Sequence, residues 1–185
     1  HYFFLDELSL RIYFQNVSDN LKIGGYFVGS TFDGQRVYNS LKRRKFIEGK
    51  KDGKSVWKIT RLYGKKKFKE GKSNFGMMID VFVDSIGNSH KEYMVSFEYL
   101  RKIGKEYGLE LKEIIPFSQL WEEGKKTENL NINTSNSINT MSEMEKQFSF
   151  LSSGFIFKKI KNAPISTYKK IIKKQKNLNK KRVIS

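Results

Sequence analysis

Along residues 5–21, apolar side chains fall at Leu10, Tyr13, Phe14, Val17 and Leu21, with Asp6, Glu7, Asn16 and Asp19 between them. That spacing predicts a helix with one buried face and one wet face. Gly24-Gly25 supplies the stop that such a helix needs. Residues 26–30, Tyr-Phe-Val-Gly-Ser, read as a short, mostly apolar strand of the kind buried in a parallel sheet. Helix, glycine turn and buried strand together predict half of a doubly wound α/β sheet.

Further on, Asp33-Gly34 marks a turn, and Val37 and Leu41 predict a short helix toward Arg44. Residues 46–48 and 55–63 predict the arms of a β-hairpin joined through Asp52-Gly53. A strand is expected over 75–83 and a loop over 84–90. Ser96 is placed to cap a helix whose inner face holds Phe97, Leu100, Ile103 and Tyr107, with Gly108 ending it. Residues 109–117 read as a strand leaving the sheet, and Ser118 starts a single turn. Residues 125–140 are rich in Asn, Ser and Thr and read as a linker or mobile loop. Residues 148–160 return to strand-like sequence, broken by Ser152-Ser153-Gly154.

Charge changes the picture more than length does. The 185 residues carry 36 Lys+Arg against 19 Asp+Glu, a formal net charge of +17. Such an excess concerns partners, and nucleic acid is the commonest polyanion; a merely solvated, lysine-rich surface is the plain alternative. Lys65-Lys66-Lys67-Phe68-Lys69 reads either as a solvated loop or as a cluster resting on phosphates with Phe68 beneath a base. From Lys158 onward the chain has eleven basic residues and no acidic one, giving a solvated tail or an electrostatic arm.

Candidate chemistries narrow quickly. Cysteine is absent, so there is no disulfide, thiolate site or cysteine nucleophile. With His1 and His90 the only histidines, a zinc site is not expected. No Gly-x-Ser-x-Gly elbow supports a serine hydrolase. Gly24-Gly25 leads from helix to strand, the reverse of a phosphate-cradling loop, so a dinucleotide or adenosyl loop is not expected within these residues. No apolar run nears the roughly 20 residues that cross a bilayer, no membrane partner is expected, and an intracellular setting is favoured.

Several short motifs stand in order. They are His1-Tyr2-Phe3-Phe4, then Gly24-Gly25-Tyr26-Phe27-Val28-Gly29-Ser30, Phe75-Gly76, Lys91-Glu92-Tyr93-Met94-Val95-Ser96-Phe97, Tyr107-Gly108-Leu109-Glu110-Leu111, and residues 117–123. Together they resemble the C-terminal half of the mRNA cap (guanine-N7) methyltransferases, over roughly residues 1–124 with a weaker end at Phe155-Ile156-Phe157-Lys158. The resemblance implies a Rossmann-like, S-adenosylmethionine-dependent methyltransferase sheet with an inserted β-hairpin region. It divides the chain into a partial methyltransferase domain over 1–124 with a cap-pocket insertion at about 46–83, a linker over 125–142, a final strand over 143–160 and a basic tail over 161–185.

The same resemblance implies site roles. Glu92 would accept hydrogen bonds from the N1–H and exocyclic amine of guanine, His1 would contact the other edge, and Tyr2 would line the joint between base and methyl donor. Phe75 or Phe82 would pack on the base face. Two departures stand out: Phe32 replaces a customary proline, and Ser152 occupies a cap-guanine position customarily held by tyrosine, where Phe150 is a candidate substitute. The chain is read as part of a longer polypeptide whose upstream residues hold the cofactor loop. Expected partners are capped RNA, S-adenosylmethionine and other capping-enzyme domains or subunits. Two alternatives remain open: a non-catalytic RNA-binding or stimulatory subunit derived from a methyltransferase, and a methyltransferase of another substrate on the same scaffold.

Overall fold

A computed structural model describes residues 2–69, 74–127, 131–169, 171–173 and 176. The chain forms two small sheets, and the junction between them places the site. The first has the order β1-β7-β6, from Tyr26–Phe32, Ser152–Lys159 and Leu109–Pro116. Both outer strands run antiparallel to β7, so β1 and β6 are parallel to each other. Helices α1 (Glu7–Asn20) and α3 (Phe97–Glu106) bury Leu10, Phe14, Leu100 and Ile103 with Phe155 and Phe157 of β7.

Local chemistry explains these elements. Asp6 caps α1 by accepting from the Ser9 amide at 2.8 Å, and Ser96 caps α3 by accepting from the Tyr99 amide. Lys159, almost fully buried, donates to the carbonyls of Ser18 and Leu21 at 2.6 and 2.8 Å, satisfying orphan acceptors at the C-terminal end of α1. Gly108 leaves α3 at φ 75°, a value open to glycine at no steric cost.

The second sheet is an antiparallel meander, β2-β3-β4-β5, from Phe46–Lys51, Lys54–Arg61, Met78–Val83 and Ser89–Tyr93. Asp52 and Gly53 join β2 to β3 with φ of 50° and 78°, the left-handed pair that matches the twist of a tight hairpin. Helix α2 (Gly34–Leu41) buries Val37, Tyr38 and Leu41 against Trp57, Ile59, Ile79 and Val81. The sheets meet where Asp33 bridges Val95. There the Gly34 amide donates to the Val95 carbonyl at 3.0 Å and the Asp33 amide to the Leu151 carbonyl at 2.9 Å.

The mixed α/β class and the inserted hairpin region agree with expectation, but several local readings do not. β1 is not a strand buried between parallel neighbours: it pairs antiparallel with β7, and Tyr26 and Val28 are exposed. Residues 89–93, assigned in part to a loop, form β5. Residues 117–126 form a full helix, α4 (Phe117–Lys126), where one turn was expected. Within the expected linker 125–142, α5 spans Ile132–Thr140, tied down by the Trp121 indole N–H donating to the Ile138 carbonyl. Within 143–160, α6 (Glu143–Ser149) precedes β7, and Ser152-Ser153-Gly154 lie inside the strand. The basic tail is partly docked: Thr167 donates to the Glu106 carbonyl, Tyr168 to Asp19, and Ile171 is buried. Among the described residues no helix is long and apolar enough to cross a membrane.

Candidate functional site

Between the sheets lies an open cavity of about 720 Å³, lined by Phe3, Tyr13, Phe32, Val81, Val83, Ile86, His90, Glu92 and Phe148. Its volume is that of a pocket for a nucleoside-sized ligand. Side chains alternate along a strand, and directly opposed residues share a face. Glu92 opposes Ile79 and His90 opposes Val81, so both polar groups share the β4–β5 face with Val81 and Val83.

Two aromatic pairs flank these polar groups. On one side Phe3 stacks on Tyr13, ring centroids 4.1 Å apart and planes 11° from parallel. Tyr13 comes from α1, and Phe3 from a 3-10 turn over Tyr2–Phe4 anchored by buried Phe4 against Phe75 and Tyr99. On the other side Phe32, the last residue of β1, meets Phe148 of α6 edge-on at 5.6 Å. Burial pushes the Tyr13 hydroxyl above its ordinary pKa, so this wall stays uncharged at neutral pH. The lining therefore combines four aromatic rings with one carboxylate.

The expected residues fare unequally. Glu92 is in the cavity, on β5. His1 lies outside the described residues, as does the Tyr2 side chain. Ser152 does not line the cavity; its cross-strand partner Phe32 does. Neither candidate stacking ring is there: Phe75 packs edge-on to Tyr99 at 5.1 Å, and Phe82 alternates onto the opposite face of β4. Phe150 instead contacts Trp121. Phe68, read as a base-stacking candidate, packs against Tyr38 at 6.0 Å. Sequence reasoning missed Phe3, Tyr13, Phe32, His90 and Phe148 as lining groups.

Among the described residues no group of three or more His, Cys, Asp or Glu could hold a metal. At the β1-to-α2 step the Gly34 amide is taken by Val95, and the Gln35 and Arg36 amides by Asp33. No free amide nest therefore awaits an anionic or adenosyl group at that step.

Comparison with known proteins places these observations in context. The family described as the mRNA (guanine-N(7))-methyltransferase domain matches residues 1–160. The mRNA cap guanine-N(7) methyltransferase of Saccharomyces cerevisiae is 35% identical over 125 residues, covering 65% of this chain and 28% of that protein. A probable mRNA-capping enzyme of Acanthamoeba polyphaga mimivirus is 32% identical over 122 residues, covering 61% of this chain and 10% of the viral protein. The chain thus spans less than a third of either relative. A solved S-adenosylmethionine-dependent methyltransferase from Clostridium acetobutylicum aligns with TM-score 0.46 and 16% identity over 84% of this chain and 53% of the other.

Proposed function

The chain belongs to the mRNA (guanine-N(7))-methyltransferase family, and from that premise we propose that it supplies the guanine-acceptor side of an enzyme that methylates N7 of the RNA cap. The observation that carries this reading is the position of Glu92, at the edge of a cavity walled by two aromatic pairs. A carboxylate offers two acceptor oxygens, which suit the adjacent N1–H and N2–H donors of guanine and find no such pair on adenine. It also complements the positive charge that grows on the purine as N7 is alkylated.

The chemistry asks for no general base, because guanine N7 carries a free lone pair at neutral pH. The protein's task is to hold that lone pair about 3–3.5 Å from the incoming methyl group, in line and shielded from water. Phe3, Tyr13, Phe32 and Phe148 supply faces for the base, and Val81, Val83 and Ile86 keep the cavity apolar around it. When bound, S-adenosylmethionine supplies the electrophilic methyl group. This chain's part in the reaction is to receive and orient the base.

The test is methylation of a capped RNA by the full-length protein that carries this chain, compared with Glu92→Ala. Loss of a bidentate base-edge contact, about 1–3 kcal/mol, should lower kcat/KM by roughly 5- to 150-fold while leaving the affinity for S-adenosylmethionine unchanged. Wild-type rates in the variant would remove Glu92 from the guanine site. Binding of capped RNA by the wild-type protein with no methylation would favour a non-catalytic binding subunit instead.

A further inference from the structure

On the other half of the same sheet, the C-terminal end of α2 stands between two depressions of about 650 and 420 Å³, and Lys42 and Arg43 line both. Arg44 joins them in the first; Arg61, Lys65 and Lys66 join them in the second. We propose that this continuous basic groove binds the phosphodiester backbone of the RNA whose 5′ guanosine occupies the Glu92 cavity. The proposal rests on the guanine reading of that cavity and adds a path for the RNA body.

Charge is the first argument. Six cationic side chains converge from the end of α2, the end of β3 and the loop that follows it. Among the described residues the only acidic one lining either depression is Glu48, already held by Lys50 at 3.0 Å and by the Ser55 hydroxyl. Lys42, Arg43 and Arg44 are exposed and pair with no acidic group among the described residues. Native surfaces ordinarily intersperse signs, and like charges left together repel unless a polyanion neutralises them. Lys65 is steered rather than loose, its ammonium donating to the Phe75 carbonyl at 3.2 Å.

Position is the second argument. Trp57 lines the groove and touches Phe148 at 5.4 Å, and Phe148 lines the cavity. Trp57 also opposes Val83 across the β3–β4 ladder. Groove and cavity therefore share one face of one sheet, with β3, which carries Trp57, two strand spacings or roughly 10 Å from β5, which carries Glu92. Helix α6 contributes Gln147 to the groove and Phe148 to the cavity. A nucleic-acid strand anchored by its terminal base can reach the groove within a short step. An acidic polypeptide would need no such neighbouring anchor.

Two measurements on the full-length protein test this. In the triple variant Lys42→Gln/Arg43→Gln/Arg44→Gln, KM for a capped RNA longer than a typical single-strand site of about 16 nucleotides should rise on the order of tenfold. KM for a dinucleotide cap analogue should stay unchanged, as should the urea midpoint. Binding of uncapped RNA should lose about 2 units of log–log salt slope, near 0.7 for each phosphate contact removed. An unchanged KM and slope with the long RNA would overturn the proposal. So would an equal rise with the dinucleotide, or a loss of polyglutamate binding without loss of RNA binding. If the wild-type protein methylates neither substrate, the proposed function fails, and the slope for uncapped RNA still decides the groove.

Discussion

Arg11 of α1 reaches across to Glu106, the last residue of α3, and donates to both carboxylate oxygens at 3.0 and 3.2 Å. Its remaining nitrogen, Nε, donates to Glu7 at 2.9 Å. Arg11 is almost fully buried. Burial disfavours its charge, but the two carboxylates outweigh this and hold it firmly protonated. Glu106→Gln should cost about 3 kcal/mol, the lower end for breaking a buried pair, since Glu106 keeps some solvent contact. A lowered urea midpoint with unchanged slope would show this. The double change Arg11→Met/Glu106→Met should recover most of the loss.

Phe148 separates the cavity from the basic groove by touching Phe32 on one side and Trp57 on the other. It is half-buried, so Phe148→Ala should cost about 1–2 kcal/mol, below the 3–5 of a fully buried ring. The larger effect is expected in KM for a cap analogue, with donor affinity retained. Steady-state kinetics in each substrate would separate the two.

Tyr99 and Tyr63 are buried phenols whose hydroxyls find no hydrogen-bond partner among the described residues. Burial pushes both up to about 12, from an ordinary 10. Above pH 10 the unfolded phenol gives up its proton while the folded one keeps it. The unfolded chain then binds fewer protons, so stability is intact below pH 10 and falls as pH rises toward 12. Tyr99→Phe should be nearly neutral at pH 7, because the hydroxyl it removes has no protein partner. It should flatten the alkaline decline, as followed by denaturant midpoints from pH 8 to 12.

Gly104, inside α3, faces the ring of Phe157, and an added Cβ would lie 2.7 Å from it. Alanine is the better helix former by up to about 1 kcal/mol. Overpacking against a ring that is itself fully buried costs about 1–3 kcal/mol, and here the clash should win. Gly104→Ala should therefore lower stability by about 1 kcal/mol, and Phe157→Leu in the same chain should relieve part of it. Thermal or urea unfolding of the four variants of that cycle measures the coupling.

Sequence reasoning succeeded where the cause was local. The Asp52-Gly53 turn, the Ser96 cap and the Gly108 exit follow from backbone preferences within a few residues. It failed where tertiary contacts decide. β5 is written Ser-His-Lys-Glu-Tyr, with little apolar pattern, because it is an edge strand held by its ladder to β4. α5 lacks an apolar stripe and is joined to α4 by the Trp121–Ile138 hydrogen bond and by Ile138 against Gly124. The placement of Phe148 was recoverable. Ser142 and Glu145 form a reciprocal capping box that starts α6, and that four-residue signal was present in the chain. Glu92 was singled out through an ordered set of family motifs, whereas the rings lining the same cavity come from the N-terminal 3-10 turn, α1, β1 and α6 and share no local signature.

β1 hydrogen-bonds to β7 along one side only among the described residues, and its face carries Tyr26 and Val28 in contact with solvent. A row of unclaimed amides beside apolar side chains is a template for another strand. These 185 residues handled in isolation should therefore associate edge to edge at high concentration, and a charge placed at Val28 should delay it.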